Sequence, residues 1–268
     1  MNRVTVVCFL ASYSLALVLE LLHQTRPRPI LRWLALAAGA AGLVAQTLYL
    51  IARQPPLVWQ FSWMLFVAWV LAVFYLCVAV HQQRLSWGVF VLPLLIGLLL
   101  LGLLFGTPPP DARGLLGQEL LETHRLWAPV HVVLILLATI GVCVGFLASL
   151  MYLIQSHRLR TKTPPGQGLR LLNLERLETM NRRALFIAFP LLTAGMIAGM
   201  VLLHGSDTVS WSDPRVIGTL LLWLVFALLL YLRFAQHLRG RQVAFMTIVA
   251  FVLLLICVVI SHPLRNGG

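Results

Sequence analysis

Long, almost uncharged apolar runs decide most of what this chain can fold into. A helix needs about 20 predominantly apolar residues to cross the hydrocarbon core of a bilayer. Within that core only helices and closed barrels satisfy every backbone N–H and C=O. Eight runs of suitable length can be read, at approximately 4–22, 30–52, 61–81, 87–106, 127–155, 184–204, 214–236 and 241–262. Charged residues make up only 10% of the chain, against about 25% in a soluble domain. The apolar fraction is 60% and the mean hydropathy +0.92. This leaves no room for a sizeable soluble domain. The expected fold is therefore all-α: a polytopic membrane protein, a bundle of eight transmembrane helices, with residues 1–268 forming a single integral membrane domain. The first run ends in Glu20, has no small-residue cleavage site and is followed rather than preceded by positive charge, so it reads as a retained span and not a signal peptide.

A net charge of +12 would ordinarily raise nucleic acid as a partner. The distribution of the charge argues against that. Loops after the first, third, fifth and seventh runs hold Arg26, Arg28, Arg32, Arg84, Arg158, Arg160, Lys162, Arg170, Arg176, Arg182, Arg183, Arg233, Arg239 and Arg241. The opposite side holds Arg3, Arg53, Arg113, Arg125, Arg215 and Arg265, a split of 14 to 6 that accounts for all 20 basic residues. Lys and Arg concentrate on the cytoplasmic side of membrane proteins, so both termini are expected outside, which requires an even number of spans.

Two connecting segments stand out. The cytoplasmic loop 156–183 is broken by Pro164-Pro165-Gly166 and then reads as an amphipathic helix with Leu171, Leu174 and Leu177 on one face. It suits either the surface of the anionic leaflet or a connector capping the bundle. Segment 107–126 opens on three prolines and then permits a short external helix, read chiefly as an ordinary connector. Gly195 and Gly199 form a G-x-x-x-G, and Ala35 with Gly39 a small-x-x-x-small. Such pairs let helices approach closely and are read as packing features.

Few residues can carry chemistry. The cysteines Cys8, Cys77, Cys143 and Cys257 each fall inside an apolar run, with no C-x-x-C-H for covalent haem attachment; they read as small buried hydrophobes. Ser210, His204 and Asp213 lack the glycine pattern of a nucleophile elbow, so no catalytic residues are assigned. The external histidines have neither the spacing nor the cysteine partners of a zinc site. That leaves the histidines themselves. His23, His81, His157 and His237 lie at cytoplasmic span ends; His124, His131, His204 and His262 lie at or near external ends. Any one of them is most simply an interfacial side chain. His131 is the least ordinary, about one turn inside its span. His131, His204 and His262 share a depth and would converge if their spans are neighbours, and two neutral imidazoles on opposite sides of an iron are a standard haem arrangement.

A polar island, "HGSDTVSWSDPR" at 204–215, separates two apolar walls and leads into "VIGTLLLWLVFALLLYLR". This stretch resembles the signature region of CcsA-type cytochrome c assembly proteins, in which a Trp-rich external loop with W-x-W-D-P precedes a span carrying a W-L-V-Y-like run. The counterparts are Trp211, Asp213 and Pro214, then Trp223-Leu224-Val225-Phe226. "FPLLTAGMIAG" at 189–199, the span after "WAPVH" and the closing "GRQVAFMTIVAFVLLLICVVISH" resemble further spans of the family, over about 127–262. The length is most like the short, HemX-like branch.

The resemblance implies a bacterial inner-membrane protein that binds haem b non-covalently near the outer face, with His131 and His262 as axial ligands. Trp211 would stack on the porphyrin, Arg215 would meet a propionate, and His204 is a further cofactor-binding candidate. Its implied partners are haem, an apocytochrome or another assembly protein of the membrane, and the lipid bilayer. The chain departs from the family pattern at Ser212, where a tryptophan is expected, and at Tyr231, where a histidine of an inner haem site maps. The eroded loop suits haem handling better than a complete synthase. The runner-up is a non-catalytic regulator or scaffold of haem biosynthesis working through loop 156–183, and a transporter ranks last because no inverted repeat is visible. Apart from any haem, Asp213-Pro214 reads as the N-cap and first position of a helix.

Overall fold

The structure, a computed structural model, describes residues 2–26, 28–53, 60–82, 86–105, 127–161, 171–204, 214–235 and 240–260. Among these residues the regular elements are α1 (Asn2–Thr25), α2 (Pro29–Arg53), α3 (Gln60–His81), α4 (Gly88–Phe105), α5 (Trp127–Arg160), α6 (Leu174–His204), α7 (Pro214–Ala235) and α8 (Gly240–Ile260), all α-helices. Each apolar run became one helix. Six of them, α1, α2, α3, α5, α6 and α8, are long and apolar enough to cross a membrane, while α4 and α7 hold shorter apolar stretches at Gly88–Leu104 and Val216–Leu232.

The outward faces are as apolar as the packed ones. Leu15, Ile30, Trp33, Leu48, Phe186 and Phe245 are all exposed. So many large apolar side chains exposed on helix faces are unusual on a soluble monomer and are what lipid tails solvate. With the length of the helices, they make this a multi-pass membrane protein. The same fact corrects the reading of the cysteines: Cys143 is buried, but Cys8 and Cys77 lie on exposed helix faces. An apolar residue in a membrane helix can face lipid as readily as protein.

The chain divides into two compact units, Met1–Leu115 with Arg158–Leu172, and Leu116–His157 with Asn173–Gly268. In the first, α1 packs on α2 and α4, α2 on α3, and α3 on α4. Small residues set the closeness. A Cβ on Gly42 would stand 2.8 Å from the Tyr13 ring, and one on Gly39 would stand 2.8 Å from the ring of Tyr75. Several polar groups between these helices pair with one another, although the buried Ser62 hydroxyl of α3 has no partner among the described residues. Tyr13 donates to Oε1 of Gln46 at 2.7 Å, and Gln46 Nε2 donates to the Leu65 carbonyl at 2.9 Å. Glu20, which the sequence marked only as the end of a span, is buried and accepts from the Tyr75 hydroxyl at 3.2 Å. Gly88 opens α4 against that carboxyl group: a Cβ there would lie 2.9 Å from it.

In the second unit the interhelical contacts fix an up-and-down order. Residues 131 to 149 of α5 meet residues 199 to 181 of α6 in antiparallel register. Trp223 of α7 donates to Thr193 of α6 at 2.9 Å and stacks on Phe189. Cys257 of α8 reaches the Gly218 carbonyl of α7 at 3.3 Å, and Phe251 of α8 stacks on Phe146 of α5 at 4.1 Å between ring centres. One device recurs in both units. Trp69 of α3 donates to Thr47 of α2 at 2.8 Å, as Trp223 does to Thr193. Each threonine in turn donates to the carbonyl four residues back, at 2.7 Å for Leu43 and 2.9 Å for Phe189. An indole N–H in an apolar environment needs a partner, and a threonine whose proton is already committed offers its lone pairs.

Helices α5 and α6 have 34 and 31 residues. At about 1.5 Å per residue both exceed a hydrocarbon core of about 30 Å. The excess of α6 is the stretch read as an amphipathic helix. It does not form a separate surface element: from Leu174 it is the first turns of α6 itself. Asn173 caps it, its Oδ1 accepting from the Arg176 N–H at 3.1 Å, and Glu175 lies in the first turn, where a negative charge meets the positive end of the helix dipole. Leu177 and Asn181 are buried, whereas Arg176, Arg182 and Arg183 are exposed. Residues 162–170 of the loop and the segment 107–126 lie outside the described residues.

Candidate functional site at one end of the second unit

The alternating helix directions bring four chain ends to one end of this unit. They are the start of α5 at Trp127, the end of α6 at His204, the start of α7 at Pro214 and the end of α8 at Ile260. The polar island joins two of them, and His262 follows the fourth two residues on. The topology thus places the helix ends that flank the expected site residues at a common end. Pro214 is the first residue of α7, where its missing N–H costs nothing and its fixed φ suits the helix. Its expected cap Asp213, with Trp211 and His262, lies outside the described residues, as do the side chains of His204 and Arg215.

His131 is described in full. It sits in the second turn of α5, half-buried, and faces α6. Its Nδ1 lies 2.7 Å from the carbonyl oxygen of Gly195. A carbonyl only accepts, so Nδ1 carries the proton and donates it. In a neutral imidazole the lone pair then belongs to Nε2. Among the described residues no group hydrogen-bonds Nε2. The result is a half-buried imidazole with Nδ1 committed to Gly195 and, in its neutral form, the lone pair on Nε2. It can serve as a hydrogen-bond acceptor or as a metal ligand held by an outer partner, the arrangement usual for metal-bound histidines. No group of three or more His, Cys, Asp or Glu side chains gathers as a metal site among the described residues.

Neighbouring residues define the walls. Gly199 lies against the imidazole: a Cβ there would be 3.0 Å from Cε1. Ile135, one turn along α5, lies on Gly195, whose added Cβ would meet Cδ1 at 2.6 Å. Trp223, Phe189 and Thr193 form the polar-aromatic clamp between α6 and α7 described above, and Phe226 is fully buried. Of the W-L-V-F run, then, the two aromatic members face protein and Leu224 is exposed. Tyr231, the position at which a further histidine was expected from the resemblance, is 64% exposed.

The other histidines do simpler work. His23 donates from Nδ1 to the Arg28 carbonyl at 3.1 Å, closing the turn between α1 and α2, and His81 and His157 are exposed at helix ends. What the sequence missed are buried polar nodes. Asn181 sits among Gly145, Ser149 and Thr247, and Gln46 between α1 and α3. The one available signal was a polar residue at a small-residue seam, too common to single out without the fold.

The fold and the histidine-bearing end define a helical, multi-pass membrane protein. Comparison with known sequences makes the class more particular. The model of the Cytochrome C assembly protein family matches residues 59–267, and the chain belongs to that family. A cytochrome c biogenesis protein CcsA of Gloeobacter violaceus is 28% identical over 84% of this chain and 82% of its own length. The CcsA of Guillardia theta is 30% identical over 53% of this chain and 52% of its own. Protein HemX of Bacillus subtilis is 27% identical over 47% of this chain and 46% of its own. The matches to the latter two thus span about half of each relative. No solved structure matches.

Proposed function

We propose that this protein binds haem b non-covalently near the outer face of a bacterial inner membrane and handles or presents it for cytochrome c assembly. The observation that carries the reading is the His131 contact: Nδ1–H donates to the Gly195 carbonyl at 2.7 Å, so that the ring in its neutral form presents Nε2. That donor suits haem iron, and the apolar helix walls beside it suit a porphyrin. His262, two residues beyond the end of α8 in sequence, is the proposed second axial ligand. Trp211 and Arg215 are proposed to stack on the macrocycle and to pair with a propionate, and His204 is held as a substitute ligand. Haem bound there would supply the iron-bearing group to be delivered; the chain's own part is to hold it, exclude water from it and expose it on one side. An apocytochrome or a second assembly protein would receive it. The names of the CcsA relatives, which link them to cytochrome c biogenesis, support the direction of this role.

Protein purified in detergent from haem-replete cells is expected to show a Soret band with low-spin bis-imidazole features. Protein that is folded and monodisperse but takes up no haem would refute the reading.

The proposed orientation has eight spans with both termini external, from the 14 to 6 sorting of basic residues. Alkaline phosphatase fused after Gly268 should be active, and a cytoplasmic reporter at the same site silent. The reverse pair of results would invert the topology.

The match to HemX keeps one alternative, a non-catalytic regulator or scaffold of haem biosynthesis that works through its cytoplasmic surface. Exposed Arg160, the last residue of α5, and exposed Arg182 and Arg183, in the third turn of α6, would belong to that surface. In a deletion strain, an Arg160→Ala, Arg182→Ala, Arg183→Ala variant should complement if the protein handles haem, and His131→Ala should not. The opposite pattern, with equal expression, favours the regulator.

A further inference from the structure

The G-x-x-x-G of α6 does more than bring two helices together. Its two glycines meet α5 at two different residues one turn apart, and one of these is His131. The carbonyl of Gly195 lies within α6, where the helix directs the N–H of residue 199 to it. A carbonyl has a second lone pair, but in a helix the Cβ at position i+4 leans back toward it. Position i+4 from Gly195 is Gly199. With no Cβ there, the side of the Gly195 carbonyl stays open, and the imidazole fills the space. An added Cβ would stand 3.0 Å from Cε1 and 3.1 Å from Nδ1, on top of the bond it makes. Gly195 contributes separately. It lets Ile135 settle against α6, where an added Cβ would be 2.6 Å from Cδ1 and 3.0 Å from Cγ1. That contact holds α5 close enough for the 2.7 Å bond.

We infer that Gly195 and Gly199 are positioning residues for His131: together they fix its Nδ1–H tautomer and ring plane, so that Nε2 is the nitrogen offered to a metal. The inference rests on the proposal that His131 is a ligand. A protonated Nδ1 hydrogen-bonded to a carbonyl also makes Nε2 a stronger donor, so α6 tunes the site without touching the ligand's partner.

Gly141 provides the comparison. It lies in the same α5–α6 seam, where an added Cβ would be 2.9 Å from Ala188 Cβ and 3.3 Å from the Ala184 carbonyl. It is ten residues, or about 15 Å of helix, from His131. The test uses the full chain in detergent, labelled with ¹⁵N-histidine and free of haem, with the His131 signals assigned by their loss in His131→Gln. The wild type should show a protonated Nδ1 and an unprotonated Nε2. Gly199→Ala should lose that pattern, and Gly141→Ala should keep it. With haem added, Gly199→Ala should weaken binding by about 10–100-fold, as loss of an outer partner does, while Gly141→Ala changes it by less than about threefold, as expected for a site that shares no partner with His131. Trimming the clash by pairing Gly195→Ala with Ile135→Val should preserve the tautomer. Two results overturn the positioning role: a wild-type His131 protonated on Nε2, which needs no variant to fold, or equal effects of Gly141→Ala and Gly199→Ala on the His131 signals. A wild type with the Nδ1–H pattern and no haem uptake instead overturns the haem proposal, and the two failures are told apart by the same samples.

Discussion

His131→Ala and His262→Ala should each abolish the low-spin haem spectrum or convert it to a high-spin one. The expectation follows from what an axial imidazole contributes. Ligand identity is a main determinant of spin state and potential, and alanine leaves the iron a water or nothing in that place. For His131 the geometry adds a reason for a large effect. The ring is already held by a 2.7 Å bond to Gly195, so little ordering is required when iron binds, and that preorganisation is lost with the side chain. Imidazole added to the His131→Ala protein should restore part of the low-spin spectrum, because the cavity left beside Gly199 suits the free base. His204→Ala should change the spectrum less. The spectra are compared on variants that still insert and remain monodisperse, since His131 also bridges α5 and α6. Wild-type spectra from both single variants would show that neither residue is a ligand.

Asn181→Leu should cost the protein about 1–3 kcal/mol, the penalty for leaving buried partners unsatisfied. Asn181 is buried in α6, and its amide nitrogen lies 3.1 Å from the Gly145 carbonyl, 2.6 Å from Ser149 Oγ and 3.2 Å from Thr247 Oγ1. Three helices, α5, α6 and α8, meet on this one side chain. Interhelical hydrogen bonds in membranes average about 0.6 kcal/mol each and reach about 1.7, so the sum over this node is large by the standard of single bonds. Leucine fits the volume and would keep the seam filled, which isolates the polar contribution. The measurement is reversible unfolding in mixed micelles, with Thr247→Val and the double variant closing a cycle. Thr247 donates its own proton to the Val243 carbonyl at 2.9 Å, so the valine variant removes an acceptor from Asn181 and a bond within α8. A loss below about 0.3 kcal/mol, within the range of neutral surface changes, would show that the node does not hold the helices.

Much of the architecture was legible because a bilayer imposes a length rule. Eight apolar runs gave eight helices, and for α3, α4 and α7 the ends differ from the runs by one residue at most. Pro214 opened α7 as its fixed φ predicts. The end of α5 and the start of α6 were misjudged, by five residues at one end and ten at the other. Hydropathy reports where a helix leaves lipid, and it is silent on where the helix stops. Asn173, not the end of apolarity, starts α6. The amphipathic stretch was likewise real, but its apolar face meets protein, with Leu177 fully buried.

The candidate site divides in the same way. That the start of α5 beside His131 lies at the same end of the unit as the ends of α6 and α8 was expected from sequence alone, because consecutive spans alternate in direction. Which nitrogen of His131 carries the proton was not. It depends on a carbonyl 64 residues away, brought within reach by glycines that in sequence look like any small-residue pair. Glu20, Gln46 and Asn181 carry the same lesson: each is an isolated polar letter in an apolar run, and its partners are named only when helices are set side by side. The sequence by itself determined the solvent and the positions of the eight helices among the described residues, both consequences of one-dimensional patterning against a layer of fixed thickness. Only the tertiary structure decided which faces meet, because seams between apolar helices are set by small residues and paired polar groups, and these are matched across the chain and not along it.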